Sequence, residues 1–460
     1  MFEFNRNNGF KIAKSPLIAG LIIIMLAFLF SCSDDDSSTE PGDGIPPLEI
    51  TNLLISHDNS SAILSWTNPV DWDFAGVIIR RSENVYPATH TDGDSVFIGN
   101  ISSYTDTGLE NGTEYFYSIF AYDNDMNYSD AVTASIVPHI PLVVIFEDDK
   151  LERKIREEIG IPSVDIYDDD LLQLYELEAD YDSISHLSGI QYCINLTKLE
   201  LDNNVLTDSS GTELLGQLDK LELLNLSDNN LTIVPDLSNL SELQTLYLSW
   251  NELTSLTPLN NMTKLTTLSI EGIGDLDISP LINLINLEKL FVSYNDIVNI
   301  ETISSLTNLT LLTAIDSNIS NIDFVENLVN LDRLLLSQNQ ISDIAPLANL
   351  QQLTTLTLNA NSDILDYSVL SDLSSLKTLQ ISYNLIVDIS FLSDVVGLDN
   401  LSLDSNLITD IQVLVDNEGL GDGDYLWING MSATLSQDVY DTQIPALQSR
   451  GVNVDYDSYK

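Results

Sequence analysis

Residues 221–229 read Leu-Glu-Leu-Leu-Asn-Leu-Ser-Asp-Asn, and residues 243–251 read Leu-Gln-Thr-Leu-Tyr-Leu-Ser-Trp-Asn. Both stretches have leucine at their first, fourth and sixth positions and asparagine at the ninth, and they begin 22 residues apart. The pattern continues in both directions, and eight of its eleven steps are 22 residues long. A fixed period of this length predicts a solenoid, in which each repeat stacks on the next. The repeats start at residues 174, 196, 221, 243, 265, 287, 309, 331, 353, 376, 398 and, in degenerate form, 423.

The spacing within a repeat predicts a short strand followed by a tight return path. Leucines at the fourth and sixth positions point the same way from a strand, so stacked strands form a parallel sheet with one apolar face. The ninth-position asparagines are expected to form a ladder that satisfies backbone groups. The return path has an apolar residue at every third position, which favours 3₁₀ turns over a long α-helix. We call the outward side of this sheet the concave face.

The 22-residue pattern resembles the leucine-rich repeats of internalin-type bacterial surface proteins, including their Ile-x-Pro-Leu motif at 278–281 and 344–347. The resemblance implies a leucine-rich repeat solenoid with a parallel sheet on its concave face and a 3₁₀-like convex side. Departures from the pattern at the ladder position are Asp182, Ile273, Ser317 and Met431. Local irregularity is expected near Ile273, which lies between two glycines.

The N-terminus has the features of an export signal. Basic residues precede an apolar run over 16–30, which is short for a membrane span. The run ends at Ser31-Cys32, which resembles the bacterial lipobox and implies a signal peptide over 1–31 and a lipid on Cys32. The acidic residues that follow resemble a surface-export signal of Gram-negative lipoproteins, so an outer-membrane lipoprotein exposed on the cell surface is expected. The alternative is an uncleaved signal anchor.

Three further segments complete the predicted organisation. Residues 32–45 read as a flexible acidic tether, residues 141–173 as an N-terminal helical cap, and residues 174–460 as the solenoid with its own C-terminal cap. The capping helix is expected to begin at Asp148 and to end at Gly160. A second short helix is expected after Asp170, and the chain is expected to close with a strand reaching Tyr456.

Between tether and cap, residues 46–140 predict an antiparallel β-sandwich. Short β-rich runs alternate with turns about every ten residues. Alternation places Leu64 and Trp66 on one face, and Tyr115 and Tyr117 on another. The segment resembles fibronectin type III domains, whose early tryptophan and Leu-x-x-Gly-Thr-x-Tyr turn match Trp66, Leu109, Gly112, Thr113 and Tyr115. The resemblance implies a spacer or a binding module, without catalysis.

Composition narrows the possible functions. The chain has 70 acidic and 17 basic residues, a formal charge of −53, so binding to nucleic acid or anionic lipid is disfavoured and contact with a membrane is expected only through Cys32. The sequence has only two cysteines and four histidines that are far apart, so it offers few ligands for a metal site and few groups for acid–base catalysis. We therefore expect no enzymatic activity, no cofactor and no metal.

The candidate binding residues lie between the inward leucines. At the fifth and eighth positions the sequence places several bulky apolar side chains, and four of these are expected to cluster on the concave face. Exposed aromatic clusters are typical of protein-binding sites. The predicted partner-binding residues are Tyr247, Trp250, Phe291, Tyr294, Leu335 and Tyr383.

Three classes of function remain open. A protein partner bound on the concave face accounts for the anchor, spacer, solenoid and aromatic residues together. A glycan that stacks on the same rings is the alternative. A structural envelope protein, or an enzyme without a known motif, is the third class.

Overall fold

The computed structural model describes residues 44–458, apart from Ser432. The predicted signal peptide, the lipidation site Cys32 and most of the predicted tether lie outside the described residues. The chain divides into two compact units, one ending at His139 and the other beginning at Ile140. Among the described residues, no helix is both long enough and apolar enough to cross a lipid bilayer.

The first unit consists of two antiparallel sheets. One sheet has three strands in the order β1-β2-β5, and the other has four strands in the order β4-β3-β6-β7. The β-rich runs of the sequence over 62–66, 76–81, 114–122 and 131–137 correspond to β2, β3, β6 and β7 to within two residues. The sequence pattern did not indicate the other three strands. The strands are β1 (Thr51–Asp58), β2 (Ser61–Thr67), β3 (Phe74–Ser82), β4 (Asp94–Gly99), β5 (Ser103–Thr107), β6 (Tyr115–Asp123) and β7 (Val132–Ile136).

The core of this unit follows the predicted alternation. Leu64 and Trp66 are buried, whereas Ile63, which precedes Leu64 on the same strand, is 40% exposed. Tyr115 and Tyr117 are buried in the same cluster. The hydroxyl of Tyr115 accepts a hydrogen bond from the amide of Glu110 at 3.0 Å, so the ring is fixed at both ends.

The second unit is built on one parallel sheet of 13 strands. Twelve of the strands cover the third to fifth positions of the predicted repeats, and the central residue of each of these twelve is buried. The predicted leucine-rich repeat register is therefore confirmed. The thirteenth, an edge strand over Asn453–Asp455, lies beyond the last predicted repeat, and its central residue Val454 is half-buried. The strands are β8 (Glu176–Glu178), β9 (Lys198–Glu200), β10 (Leu223–Asn225), β11 (Thr245–Tyr247), β12 (Thr267–Ser269), β14 (Lys289–Phe291), β16 (Leu311–Thr313), β17 (Arg333–Leu335), β18 (Thr355–Thr357), β19 (Thr378–Gln380), β20 (Asn400–Ser402), β21 (Tyr425–Trp427) and β22 (Asn453–Asp455).

The return paths are mostly short 3₁₀ helices, as the three-residue period predicts. The repeat that starts at residue 398 instead has a short α-helix, α2 (Gln412–Asp416). The helix expected after Asp170 is also 3₁₀ and begins earlier. The 3₁₀ helices are Asp168–Gln173, Ile190–Tyr192, Thr212–Gln217, Thr257–Leu259, Ser279–Asn283, Ile300–Ser305, Asp323–Val325, Ala345–Asn349, Ser368–Asp372 and Ser390–Ser393.

An additional pair of strands forms where irregularity was expected. Strands β13 (Gly274–Asp277) and β15 (Asn295–Val298) pair in parallel beside the main sheet. The amide of Ile273 donates to the side-chain oxygen of Asn295 at 2.7 Å. Asn295 thus still bonds the preceding repeat, although the ladder position of that repeat is occupied by Ile273, which has no side-chain amide.

The ladder asparagines bond main-chain groups. The side-chain amide of Asn251 donates to the carbonyls of Leu226 and Leu248 at 2.9 and 3.0 Å, and its oxygen accepts from the amide of Leu231 at 3.0 Å. Each asparagine therefore joins its own repeat to the preceding one. The same arrangement holds at Asn204, Asn229, Asn339, Asn361, Asn384 and Asn406.

Both ends of the sheet are covered by helices. At the first end, α1 (Asp149–Ile159) begins at Asp148, whose side chain accepts from two helix amides, and ends at Gly160 in the left-handed conformation. Burial alone would raise the pKa of Asp148, but hydrogen bonds from Ser185 and the helix amides outweigh burial and lower it. At the second end lie a π-helical turn, Val439–Gln443, α3 (Ile444–Ser449) and the edge strand β22.

Candidate binding face

The concave face is organised in columns that run across the strands. Strand pairing places the fifth-position residues Tyr247, Ser269, Phe291, Thr313 and Leu335 side by side, one from each successive strand. Neighbouring strands lie about 4.8 Å apart, so residues two strands apart are separated by about 10 Å along the column. Tyr247, Phe291 and Leu335 are each half-buried.

A second column lies three residues beyond each strand and has an unusual backbone. Trp250, Tyr294 and Tyr383 have φ angles of 57°, 61° and 57°, in the left-handed region. Bulky side chains rarely adopt this conformation. The same column contains Asn, Asp and Gly in other repeats, which tolerate it well. Those residues are Asn203, Asp228, Gly272, Asp316 and Gly430.

The Trp250 and Tyr294 rings contact each other across Gly272. Their centroids lie 5.6 Å apart and their planes are tilted by 34°. The Trp250 ring lies against the Cα of Gly272, in the space that any other side chain at position 272 would fill. The two rings are 48% and 46% exposed, so they form a pair that is open to solvent.

Bulky concave residues come from alternate repeats, which follow one another at two steps of 44 residues and one of 45. In those repeats the fifth to ninth positions read Tyr-Leu-Ser-Trp-Asn (247–251), Phe-Val-Ser-Tyr-Asn (291–295), Leu-Leu-Ser-Gln-Asn (335–339) and Gln-Ile-Ser-Tyr-Asn (380–384). The intervening repeats have Ser or Thr at the fifth position. Small residues therefore separate the large ones, which gives each ring room to lean towards the next.

Three of these four small residues are shielded from solvent, although they lie on the same face as the bulky ones. Ser269, Thr313 and Thr357 are 6%, 8% and 7% exposed. Each hydroxyl pairs with the seventh-position serine of the preceding repeat. The oxygens lie 2.6 Å apart in Ser249–Ser269, 3.2 Å in Ser293–Thr313, 3.0 Å in Ser337–Thr357 and 2.6 Å in Ser382–Ser402.

The structure brings some of the predicted site residues together and separates others. Trp250 and Tyr294 form a ring pair. Tyr247 and Phe291 are the last residues of the strands that precede them, β11 and β14. Leu335 lies two strands beyond Phe291. Tyr383 is 65% exposed but lies four repeats beyond Tyr294, outside the cluster.

Acidic groups dominate the N-terminal end of the concave face. Lys198 bonds both Glu178 and Glu200, at 2.6 and 2.8 Å, and these bonds raise its pKa. Burial, and then the charge of Glu200, raises the pKa of Tyr247. The part of the concave face that precedes the aromatic pair therefore carries negative charge.

Two basic residues that the sequence pattern did not indicate, Lys289 and Arg333, also lie on the concave face. They occupy the third position of their repeats and are exposed on the same face as Phe291 and Leu335. Residues two apart on a strand share a face. Reading the third-position column as well as the fifth would have found them.

Comparison with known proteins supports the repeat assignment. A family model described as leucine rich repeat matches residues 194–253. A Kelch domain-containing protein of Saccharolobus solfataricus is 34% identical over 104 residues, 22% of this chain, and this match spans only 13% of that protein's length.

Two solved structures from Listeria monocytogenes share the fold. An internalin is 29% identical, with a TM-score of 0.58, over 69% of this chain and 98% of its own. The functional domain of InlJ, which includes a cysteine ladder, is 25% identical, with a TM-score of 0.51, over 64% of this chain and 62% of its own. This protein thus carries leucine-rich repeats, and internalins are among its structural neighbours.

Proposed function

We propose that this protein is a surface-exposed outer-membrane lipoprotein that binds a protein partner through the concave face of its repeats, and that it is not an enzyme. A lipid on Cys32 is its membrane anchor, and the fibronectin type III-like unit over 46–140 is a spacer between anchor and repeats. The buried Trp66 and the hydrogen bond from the Glu110 amide to the Tyr115 hydroxyl support the fibronectin-like assignment.

The exposed ring pair Trp250–Tyr294 carries this proposal. Trp250 and Tyr294 both have a backbone conformation that is unfavourable for bulky residues, so the stability of the fold does not explain why these residues are present. Tryptophan and tyrosine contribute large contact area at little loss of conformational entropy, which makes them frequent anchors at protein interfaces. Phe291 and Leu335 extend the apolar surface along the neighbouring column.

Truncation of the ring pair tests the binding face. Trp250→Ala and Tyr294→Ala are each expected to weaken partner binding by about 1–2 kcal/mol, which is about 5- to 30-fold in affinity. The full-length variants are immobilised and used to capture proteins from detergent-solubilised cell-surface extracts. Affinities are then measured for the protein that the wild type retains.

Gln338→Ala is the matched control, because Gln338 is exposed and has the same left-handed backbone, with φ of 60°. The control is expected to bind as the wild type does, and all three variants to keep the wild-type melting curve. Lower stability of the ring variants with unchanged binding would contradict the proposal. Capture that survives protease digestion of the extract but not removal of its glycans would favour the glycan alternative.

Anchoring is tested separately at Cys32. Cys32→Ala is expected to abolish lipidation and to move the protein out of the membrane fraction or to leave its precursor unprocessed. Cell fractionation and metabolic labelling with a fatty acid measure these outcomes. Externally added protease is expected to digest the wild-type protein on intact cells, and normally processed, membrane-bound Cys32→Ala protein would overturn the lipoprotein assignment.

A further inference from the structure

Two basic side chains on the concave face have no partner in the described part of the chain. Lys289 and Arg333 are both exposed, and neither makes an ion pair or a side-chain hydrogen bond with any described residue. The chain carries 70 acidic residues, so partners for a cation are abundant. The lack of one is therefore unusual in this protein.

Every other Lys and Arg side chain in the described repeats is bonded. Lys198, Lys264 and Lys377 have carboxylate partners at 2.6, 2.8 and 3.8 Å. Lys220 donates to Asn195, and Arg450 donates to main-chain carbonyls. Lys289 and Arg333 thus differ from the remaining cations of the solenoid.

The two cations border a shallow apolar depression. Strand pairing places Leu311 between Lys289 and Arg333, in the third-position column. Phe291 and Leu335 lie on the same strands as the two cations and are half-buried. The depression has a volume of about 510 Å³, and the cations stand two strands, or about 10 Å, apart.

The acidic groups near the depression have hydrogen-bond partners of their own. Asp332 borders it, and its carboxylate accepts from the hydroxyl of Thr354 at 2.6 Å. Glu271 accepts from the hydroxyl of Thr313 at 3.5 Å. No ion pair within 4.0 Å joins either carboxylate to Lys289 or Arg333 among the described residues.

We infer that this depression binds an acidic, partly apolar segment of the partner protein, with one partner carboxylate at Lys289, another at Arg333 and an apolar side chain over Leu311. This inference rests on the proposed protein-binding function and names the chemistry of its partner. The guanidinium of Arg333 can bind a carboxylate through two parallel hydrogen bonds, and Lys289 supplies a compact positive charge. With most of the chain negative, the two cations also fix where on the face an acidic segment can dock.

A random dodecapeptide library displayed on phage is the probe. It is selected on the full-length protein, and the enriched peptides are counter-selected on the Lys289→Gln/Arg333→Gln double variant. The enriched peptides are expected to contain two or more Asp or Glu residues together with aliphatic or aromatic residues, and to be lost on the double variant. For one synthetic peptide, each single substitution is expected to weaken binding about five-fold, and 0.5 M salt to weaken it further.

Lys264→Gln and Lys377→Gln are the matched controls, because they remove the same charge from bonded positions elsewhere on the solenoid. Both are expected to bind the peptide as the wild type does. Replacing the peptide's Glu by Gln is expected to reduce its affinity as much as the double variant does. Peptides without acidic enrichment, or acidic peptides that bind the double variant equally well, would overturn the inference.

Two further outcomes separate this inference from the proposed function. If Trp250→Ala loses the partner but the double variant keeps it, the concave face binds a protein and the acidic-segment inference is wrong. If the ring variants bind the partner normally, the proposed function itself fails. Dimerisation of the full-length wild type that the double variant lacks, measured by sedimentation, would identify a second copy as the occupant and overturn the inference of a separate partner.

Discussion

Replacement of Leu336 by alanine is expected to lower the free energy of unfolding by about 2–5 kcal/mol. Leu336 is fully buried at the sixth position of a regular repeat. Hydrogen bonds on both sides fix the spacing of the neighbouring repeats, since its amide donates to the Thr357 carbonyl and the amide of Ala314 donates to the Leu335 carbonyl, both at 2.9 Å. Ala314, the sixth-position residue of the preceding repeat, is itself too small to fill the cavity. Urea denaturation followed by circular dichroism measures the loss.

Leu365→Ala provides the control for this substitution. Leu365 is 90% exposed, so the same change of side chain is expected to alter the free energy of unfolding by less than about 0.5 kcal/mol. Equal denaturation midpoints for Leu336→Ala and the wild type would contradict the repeat register. A large effect at Leu365 would instead place that loop inside the core.

The sequence was sufficient to predict the repeat register because burial in a solenoid is strictly periodic. A leucine at the fourth position has the same surroundings in every repeat, so twelve weak signals add up to one strong one. The capping helix was predictable for a local reason, since Asp148 and Gly160 satisfy its two ends without help from distant residues. Sequence patterns that are local, or that recur in every repeat, can be recognised without knowledge of the tertiary structure.

The arrangement of the binding face was predictable only in part. The residue types at the eighth position indicate a left-handed backbone, because Asn203, Asp228 and Gly272 tolerate positive φ. In the sequence analysis this position served only to locate side chains on the concave face. The contact between Trp250 and Tyr294 depends on Gly272 in the repeat between them. Comparison of equivalent positions in successive repeats predicted that the two residues cluster, but it did not predict that their rings meet over Gly272.

Polar side chains were the hardest to place. Ser and Thr at the fifth position look like solvent-exposed residues by type, yet Thr313 and Thr357 are buried by bonds to serines of the preceding repeat. The lack of partners for Lys289 and Arg333 among the described residues was equally hard to predict, because acidic residues are frequent throughout the sequence. Whether a charge has a partner depends on side-chain positions in three dimensions.

Replacement of Asn339 by alanine is expected to cost about 2–3 kcal/mol, because it leaves several buried main-chain groups without a partner. The side-chain amide donates to the carbonyls of Ala314 and Leu336 at 2.7 and 2.9 Å, and its oxygen accepts from the amides of Ser317 and Ile319, both at 3.0 Å. Water has little access to replace these bonds, since Asn339 is 8% exposed. Urea denaturation measures the loss against the wild type.

Asn339→Ser separates the hydrogen bonds that this side chain donates from those that it accepts, and serine already occupies the ladder position of the preceding repeat. Ser317 occupies the ladder position of the preceding repeat, where its hydroxyl lies 3.3 Å from the Val292 carbonyl and 3.0 Å from the Ile315 carbonyl. A serine at 339 can share its single hydroxyl hydrogen between the equivalent carbonyls. Its shorter side chain is not expected to accept from the two amides, since no main-chain amide of the described residues donates to the hydroxyl of Ser317. We therefore expect Asn339→Ser to lose about half as much free energy as Asn339→Ala. Equal losses for the two variants would mean that the accepting oxygen alone stabilises the ladder, and wild-type stability of Asn339→Ala would mean that the ladder bonds contribute nothing net.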